Sequence, residues 1–516
     1  INPPPSPNNF RYNSLFYKKN FRLKKPPTQS SIMPLLSIEF AAFLLLFLPL
    51  YWAFARSPKW QNILLLAASA GWLCRANPHF LAAVVGLSLW VYFIACQLVR
   101  PQQKHGKHWL AAGVSGCLLF LAVFKYYDFF RPYLQNYLGQ SQILDILMPI
   151  GASYYTFQSI AYLVETHRAP LVKPFTWANL LLHLSFFPTI TSGPIIRAVP
   201  YQNKVVGIAQ GAQAQIQTAA PRSILRPALA VCLIVAGIAQ KWWFAGSLDE
   251  GWVSPVFENP AQFDGFSILA AIYGYTFQLF FDFAGYSDLV IGIAMLLGFR
   301  LPENFAAPLR AFNLVDFWNR WHISLSTWIR DYVYIPLGGN RQNFTRTQIN
   351  LLLAMMFSGI WHGYGWNFLI WGTLHGIALV WLNIGKKLFR NKKLSDIKIG
   401  KIPIGKGLAI LITFHFVCFT FVVFNARDLD SARLMFQALL YNGKGWAISD
   451  WYNIGLIAAF ALMLAAYPLL SKLFQYAVSA LEKLPLWLWF IPITLALMLI
   501  ITFAPSGLPN FIYANF

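Results

Sequence analysis

The sequence predicts an all-α, polytopic membrane protein, on three observations. Of 516 residues, 57% are hydrophobic and only 11% are charged, against roughly 45–50% and about 25% in an ordinary soluble domain. Apolar runs of the length a helix needs to cross a hydrocarbon core of roughly 30 Å recur along the chain. Aromatic residues make up 17%, as expected where Trp and Tyr collect at membrane interfaces. This composition excludes a soluble globular enzyme and a disordered protein. In a soluble chain the formal charge of +22, from 40 Lys+Arg and 18 Asp+Glu, would point to nucleic acid. Here few charges separate many apolar runs, so the excess is an orientation signal and predicts no nucleic-acid partner.

Residues 1–32 stand apart: Arg11, Lys18, Lys19, Arg22, Lys24 and Lys25 without an acid, and a cluster of prolines. They read as a basic leader, disordered or non-native, with Met33 the expected start and 33–516 one transmembrane domain. The apolar run after Met33 is too long for a removable signal peptide and has no small-residue cleavage site. Apolar segments follow at 35–55, 62–74, 79–99, 108–124, 145–164, 176–196, 227–247, 265–298, 348–385, 405–426, 452–470 and 486–504. They give about ten to thirteen transmembrane or re-entrant helices. Lys and Arg of short loops mark the cytoplasmic side, which assigns 386–406, the loop with Arg197, Lys204, Arg222 and Arg226, and the loop with Arg100, Lys104 and Lys107 to that side. The stretch with Asp249, Glu250, Glu258 and Asp264 lies opposite. Cys74, Cys96, Cys117, Cys232 and Cys418 sit in or at the ends of apolar runs with no C-x-x-C spacing, so neither a disulfide framework nor a metal site is expected.

The chemistry concentrates between Phe281 and His375. In FDFAGYSD, residues 281–288, Asp282 and Asp288 interrupt an apolar segment. Carboxylates at membrane depth face a protein interior or a wet cavity; alternatively Gly285 and Tyr286 form a turn near an interface that leaves both solvated. In WNRWHISLSTWIRDYVYIPLGGNR, residues 318–341, an advance of about 100° per residue places Trp318, Trp321, His322, Leu325, Trp328, Ile329 and Tyr332 on one face. Asn319, Arg320, Ser324, Ser326, Thr327, Arg330 and Asp331 take the other, with Ile323 a misfit. This is the pattern of an interfacial helix with its polar side toward headgroups or a polyanionic ligand. A lone histidine at His322 reads first as a packed side chain bonded to a carbonyl. Gly338, Gly339, Asn340 and Arg341 signal a tight turn. The run 351–385, split by GIWHGYGW at 359–366, lies between two cytoplasmic flanks. Two crossings would need about 40 residues, so the sequence predicts a short, broken or re-entrant hairpin with His362 near its apex. Beside Trp361, with glycines on both sides, His362 can act as a general base on a hydroxyl or thiol, since an imidazole pKa near 6.5 suits neutral pH. His375 cannot be placed on the same face, His415 reads as a satisfied core histidine, and His79, His105, His108, His167 and His183 offer no partner spacing.

These motifs, with FKYYDFF at 124–130, LMPIGASYYTFQSIAYLVETHR at 147–168, SGPIIR at 192–197 and IEFAAFLLLFLPLYW from Ile38, resemble the bacterial branch of the membrane-bound O-acyltransferases that acts on alginate, peptidoglycan and teichoic acid. The resemblance runs from about Met33 to the region of Phe424. It implies a ring of helices around a central funnel and tunnel, with His362 as the presumed catalytic residue and His322 as a second. Trp321, Ser324, Arg330, Asp331, Asn340, Arg341, Trp361, Asp282 and Asp288 become acyl-donor or tunnel candidates. Arg320, Arg330 and Arg341 either dock the donor's phosphates or anchor the chain by the positive-inside rule. The expected activity carries acetyl from cytoplasmic acetyl-CoA, with no resident cofactor, across the bacterial inner membrane for O-acetylation of an extracytoplasmic polysaccharide. His362 removes or orients the acceptor proton and His322 assists charge stabilisation. No G-x-S-x-G nucleophile motif is found, and the resemblance implies a periplasmic SGNH-type acetyltransferase partner. Transfer of D-alanine to teichoic acid is the alternative chemistry, and a non-catalytic transporter the alternative class.

Overall fold

The computed structural model describes residues 35–100, 105–138, 147–169, 174–388, 404–441 and 451–507. The leader at 1–32, Met33 and most of the basic stretch at 386–406 lie outside the described residues. The chain opens with helices α1 (Ile38–Ala53), α2 (Pro58–Ala76), α3 (Pro78–Leu98), α4 (Gly106–Lys125) and α5 (Tyr127–Leu138). Pro58 and Pro78 begin α2 and α3 at positions where a missing N–H costs nothing. Next come α6 (Ala152–Arg168), α7 (Trp177–Ser185), an antiparallel hairpin of β1 (Tyr201–Asn203) and β2 (Gly207–Ala209), and α8 (Ala212–Ile216). Then α9 (Pro227–Glu258) passes through two π turns, Ala239–Ala245 and Asp249–Val253. Asp264 caps α10 (Gly265–Leu296), accepting from Phe266 N at 2.8 Å and Ser267 N at 3.0 Å. Two short helices, α11 (Leu314–Arg320) and α12 (Ile323–Ile329), precede the pair α13 (Phe344–His362) and α14 (Trp366–Leu388). The chain continues through α15 (Ile404–Asn425), α16 (Leu429–Tyr441), α17 (Trp451–Lys483) and α18 (Phe490–Phe503).

Among the described residues, eight helices are long and apolar enough to cross a membrane: α3, α4, α9, α10, α14, α15, α17 and the segment Leu486–Phe503 that contains α18. α1 is a shorter apolar helix. The polytopic all-α architecture is therefore as the sequence predicts, while several apolar runs fold otherwise. In 176–196 only Trp177–Ser185 is helical; Pro188, Gly193 and Pro194 turn the remainder of that run into an irregular, largely buried segment. The helix expected to end at 247 continues to Glu258. α10 lies at the centre, buried along most of its length against α9, α15, α16 and α17. It runs unbroken through Gly285 and Tyr286, so the turn reading of FDFAGYSD is set aside: Asp282 is 1% exposed. Large apolar side chains such as Leu45, Leu462, Leu495 and Phe503 stay exposed on the outer helices, a surface suited to lipid.

The hairpin of 351–385 also differs from expectation. Asn343 accepts from Arg346 N at 2.9 Å and starts α13 seven residues before the apolar run. The two helices have 19 and 23 residues, about 28 and 34 Å at 1.5 Å per residue, so neither is abbreviated. Their peculiarity is how closely they approach. A Cβ on Gly359 would meet Phe368 O at 2.3 Å, and one on Gly372 would meet Met355 O at 2.4 Å. Glycine at both positions lets the backbones touch, as small residues do between membrane helices.

Candidate active site

α11 and α12 do not form the continuous interfacial helix that the periodicity predicts over 318–332. Trp321 is extended and His322 is left-handed at φ 42°, a conformation that a β-carbon makes costly. Tertiary bonds impose the break: Ala306 N donates to Arg320 O at 3.0 Å, and Ile323 N donates to Asn304 O at 2.9 Å. The segment 304–306 thus takes the hydrogen bonds that a helix would have made with itself. The break rotates α12 relative to α11. Ile323, the misfit of the helical pattern, is fully buried, and Ser324 and Thr327 are buried rather than turned to headgroups.

Asn304, which the sequence reading missed, organises this turn. Its Oδ1 accepts from His322 Nδ1 at 3.2 Å, Ser324 N at 3.2 Å and Ser324 Oγ at 2.9 Å, while its Nδ2 donates to Ser287 Oγ at 3.3 Å. An amide oxygen only accepts, so the proton of His322 resides on Nδ1 and the lone pair on Nε2. That Nε2 is buried without a hydrogen-bond partner. A neutral ring in this tautomer accepts rather than donates a hydrogen bond at Nε2, a different role from the charge stabilisation expected of His322.

His362 ends α13, and Trp361 stands between the two histidines: ring centroids are 6.3 Å apart for His322 and Trp361 and 4.7 Å for Trp361 and His362. Both histidines are at most 4% exposed. Phe283 of α10 lies edge-on to His322 at 4.6 Å. Trp371 and Phe424 lie edge-on to His362 at 5.2 and 5.0 Å. α10, the 321–322 turn, α13, α14 and α15 thus converge on two imidazoles in an aromatic enclosure. His375 lies beyond Trp371, at 4.9 Å, and bonds Thr420 Oγ1 at 3.0 Å. His415 bonds Leu411 O at 2.7 Å and Tyr273 OH at 2.9 Å, the satisfied histidine that its sequence context suggests.

The remaining candidates fall elsewhere. Trp321 packs on Phe317, Phe305 and Phe421. Ser324 Oγ also accepts from Ile195 N at 3.0 Å, tying SGPIIR to the histidine turn. Asp282 pairs with Lys241, and Asp288 accepts from Gln240 Nε2 at 2.9 Å. Both acids therefore engage α9, whereas Phe283 and Ser287 form the face of α10 toward His322. Arg320 is bound to Asp316 at 2.8 Å and to Ala306 O at 3.1 Å. Asn340 and Arg341 are exposed at the turn after the π segment Arg330–Tyr334, where Asn340 accepts from Tyr334 OH.

Arg330 and Asp331 belong to a separate ionic network. Asp331 accepts from Arg330 Nε and from Arg197 at 2.6 Å each, and the Arg197 guanidinium lies over the Tyr201 and Tyr332 rings at 4.1 and 5.0 Å. Arg330 also reaches Gln202 O at 3.0 Å, so the network holds the β-hairpin against the end of α12. Burial pushes the Asp331 carboxyl up, but hydrogen bonds and charge from Arg330 and Arg197 outweigh it and hold the group below its usual range.

Known proteins resemble this chain over most of its length. The model of "MBOAT, membrane-bound O-acyltransferase family" matches residues 105–424, which include both histidines. The chain is 33% identical to the "Probable alginate O-acetylase AlgI" of Azotobacter vinelandii, over 83% of each chain. It is 32% identical to the "Peptidoglycan O-acetyltransferase" of Helicobacter pylori, over 75% of each. It is 29% identical to the "Teichoic acid D-alanyltransferase" of Bacillus subtilis, over 68% of this chain and 86% of the relative. With that coverage, and with the two motif histidines enclosed by five converging elements, the chain belongs to the membrane-bound O-acyltransferase family and is an acyltransferase.

Proposed function

We propose that the protein moves an acetyl group from cytoplasmic acetyl-CoA through the bacterial inner membrane for O-acetylation of a polysaccharide, peptidoglycan or an alginate-like exopolysaccharide. The observation that carries this reading is the pair of buried histidines about Trp361, one with an unsatisfied nitrogen lone pair. An acyl transfer needs a base where the acceptor O–H meets the thioester. The acceptor oxygen bonds to the carbonyl carbon, the C–S bond breaks, His362 takes the acceptor proton, and the thiolate leaves to be protonated as CoA. His322, fixed with its lone pair on Nε2, orients the acceptor by accepting from a second donor on it, the reacting hydroxyl being held by His362. The names of the alginate and peptidoglycan relatives support acetyl over D-alanyl, since they align over more of this chain than the teichoic acid relative. A periplasmic SGNH-type acetyltransferase is the partner that we propose completes transfer onto the sugar.

Purified protein in proteoliposomes, given radiolabelled acetyl-CoA on one face and the SGNH partner with polysaccharide on the other, tests this directly. We expect CoA release on the donor face and label on the acceptor face. Turnover of a D-alanyl carrier thioester in place of acetyl-CoA would replace the acetyl reading.

A further inference from the structure

The carbonyl end of α13, where His362 sits, is capped from outside its own helix. Tyr126 OH donates to Ile360 O at 2.7 Å, and Lys125 Nζ donates to Trp361 O. Lys125 Nζ also lies 5.2 Å from the centroid of the Trp361 ring. Both side chains come from FKYYDFF, a motif that the proposed reaction does not use. A lysine that only marked the membrane edge would extend its ammonium to headgroups. Lys125 instead turns it inward, onto the negative end of the helix dipole and the residue just before His362.

We propose that Lys125 is a positioning residue for His362: its ammonium, bound to Trp361 O, locks the last turn of α13 and sets a cation near the imidazole. The proposal rests on the reading of His362 as the proton acceptor. Among the described residues, charge from Lys125 of α4 and from His322 of the 321–322 turn acts on His362. α14 presents Trp371, with His375 behind it, and α15 presents Phe424. Tyr154 of α6 lies edge-on to Trp361 at 6.3 Å. Lys125 thus supplies a cation at the end of α13, next to the residue that precedes His362.

The test is kcat and KM against pH for the full-length protein carrying Lys125→Met, Lys125→Arg or Tyr126→Phe. Removing a neighbouring cation makes protonated His362 easier to form, so a higher pH is needed to reach the neutral base. Lys125→Met should lower kcat about tenfold or more, leave KM for the donor within about twofold, and move the acid limb of the kcat profile up by about one pH unit. Lys125→Arg should restore the limb, and Tyr126→Phe, which removes a cap but no charge, should lower kcat without moving it. Lys125→Gln carries the same test where Lys125→Met does not accumulate. An acid limb unmoved in Lys125→Met or Lys125→Gln overturns the proposal. Full activity of His362→Gln in the same preparation would instead overturn the assignment of His362.

Discussion

His322 holds a backbone conformation that costs an L-residue about 1–2 kcal/mol, and the bonds around Asn304 keep it there. Truncating that side chain leaves His322 Nδ1 and the Ser324 amide without their acceptor, each buried loss worth about 1–3 kcal/mol. Asn304→Ala should therefore lower the thermal midpoint in detergent and cut kcat more than tenfold, since the tautomer of His322 is no longer fixed. Asn304→Asp, which keeps an acceptor in place, should retain more activity than the alanine variant; equal rates for the two would show that the Oδ1 contact is immaterial. His362 was legible because an imidazole beside Trp and Gly in an apolar run is chemically conspicuous, whereas His322 read as a packed side chain and became a candidate only through the family resemblance. Asn304 was not legible, because it sits among Pro302, Glu303 and Phe305 with no periodicity, and its role arises only when 304–306 bonds to 320–323. Lys125 was hidden for another reason: a lysine ending an apolar helix looks like an interface anchor.

Among the helices, the 100° periodicity of 318–332 is real but misleading, because it continues across a break that only tertiary hydrogen bonds create. The hairpin of α13 and α14 misleads from the other direction: hydropathy ignores the polar first turns of α13, which the Asn343 cap makes helical. What limits that hairpin is the contact at Gly359 and Gly372. Gly359→Leu should force α13 and α14 apart and sharply reduce the folded protein recovered in mild detergent, whereas an equally large change at exposed Ile360 should be tolerated. The Asp331 network makes a pH prediction. Because its folded pKa is depressed, the carboxylate contributes stability that is fully present above the unfolded value near 4 and is lost as pH falls through the folded value. The thermal midpoint should fall on acidification below about pH 4, with a shallower fall in Asp331→Asn. Equal slopes in the two proteins would show that the network does not couple to folding.

Across the whole chain, the architecture was the most legible feature, since composition and run length already demand a helical membrane protein. Less legible was which helix is central. α10 carries two acids and reads as a site, yet its acids serve the packing of α9 while its Phe283 and Ser287 face the histidine turn. Elements far apart in the chain, from Phe283 to Phe424, meet at two imidazoles around one tryptophan, and it is there that we propose acyl transfer. The decisive quantity is the rate of acetyl transfer from acetyl-CoA by His362→Gln and His322→Gln, each in proteoliposomes at equal inserted amounts. A base at His362 predicts a fall of about 10²-fold to 10⁴-fold for His362→Gln, in the range of a lost general base, and a clear loss for His322→Gln with insertion unchanged. Transfer by His362→Gln within tenfold of the native chain would contradict that assignment.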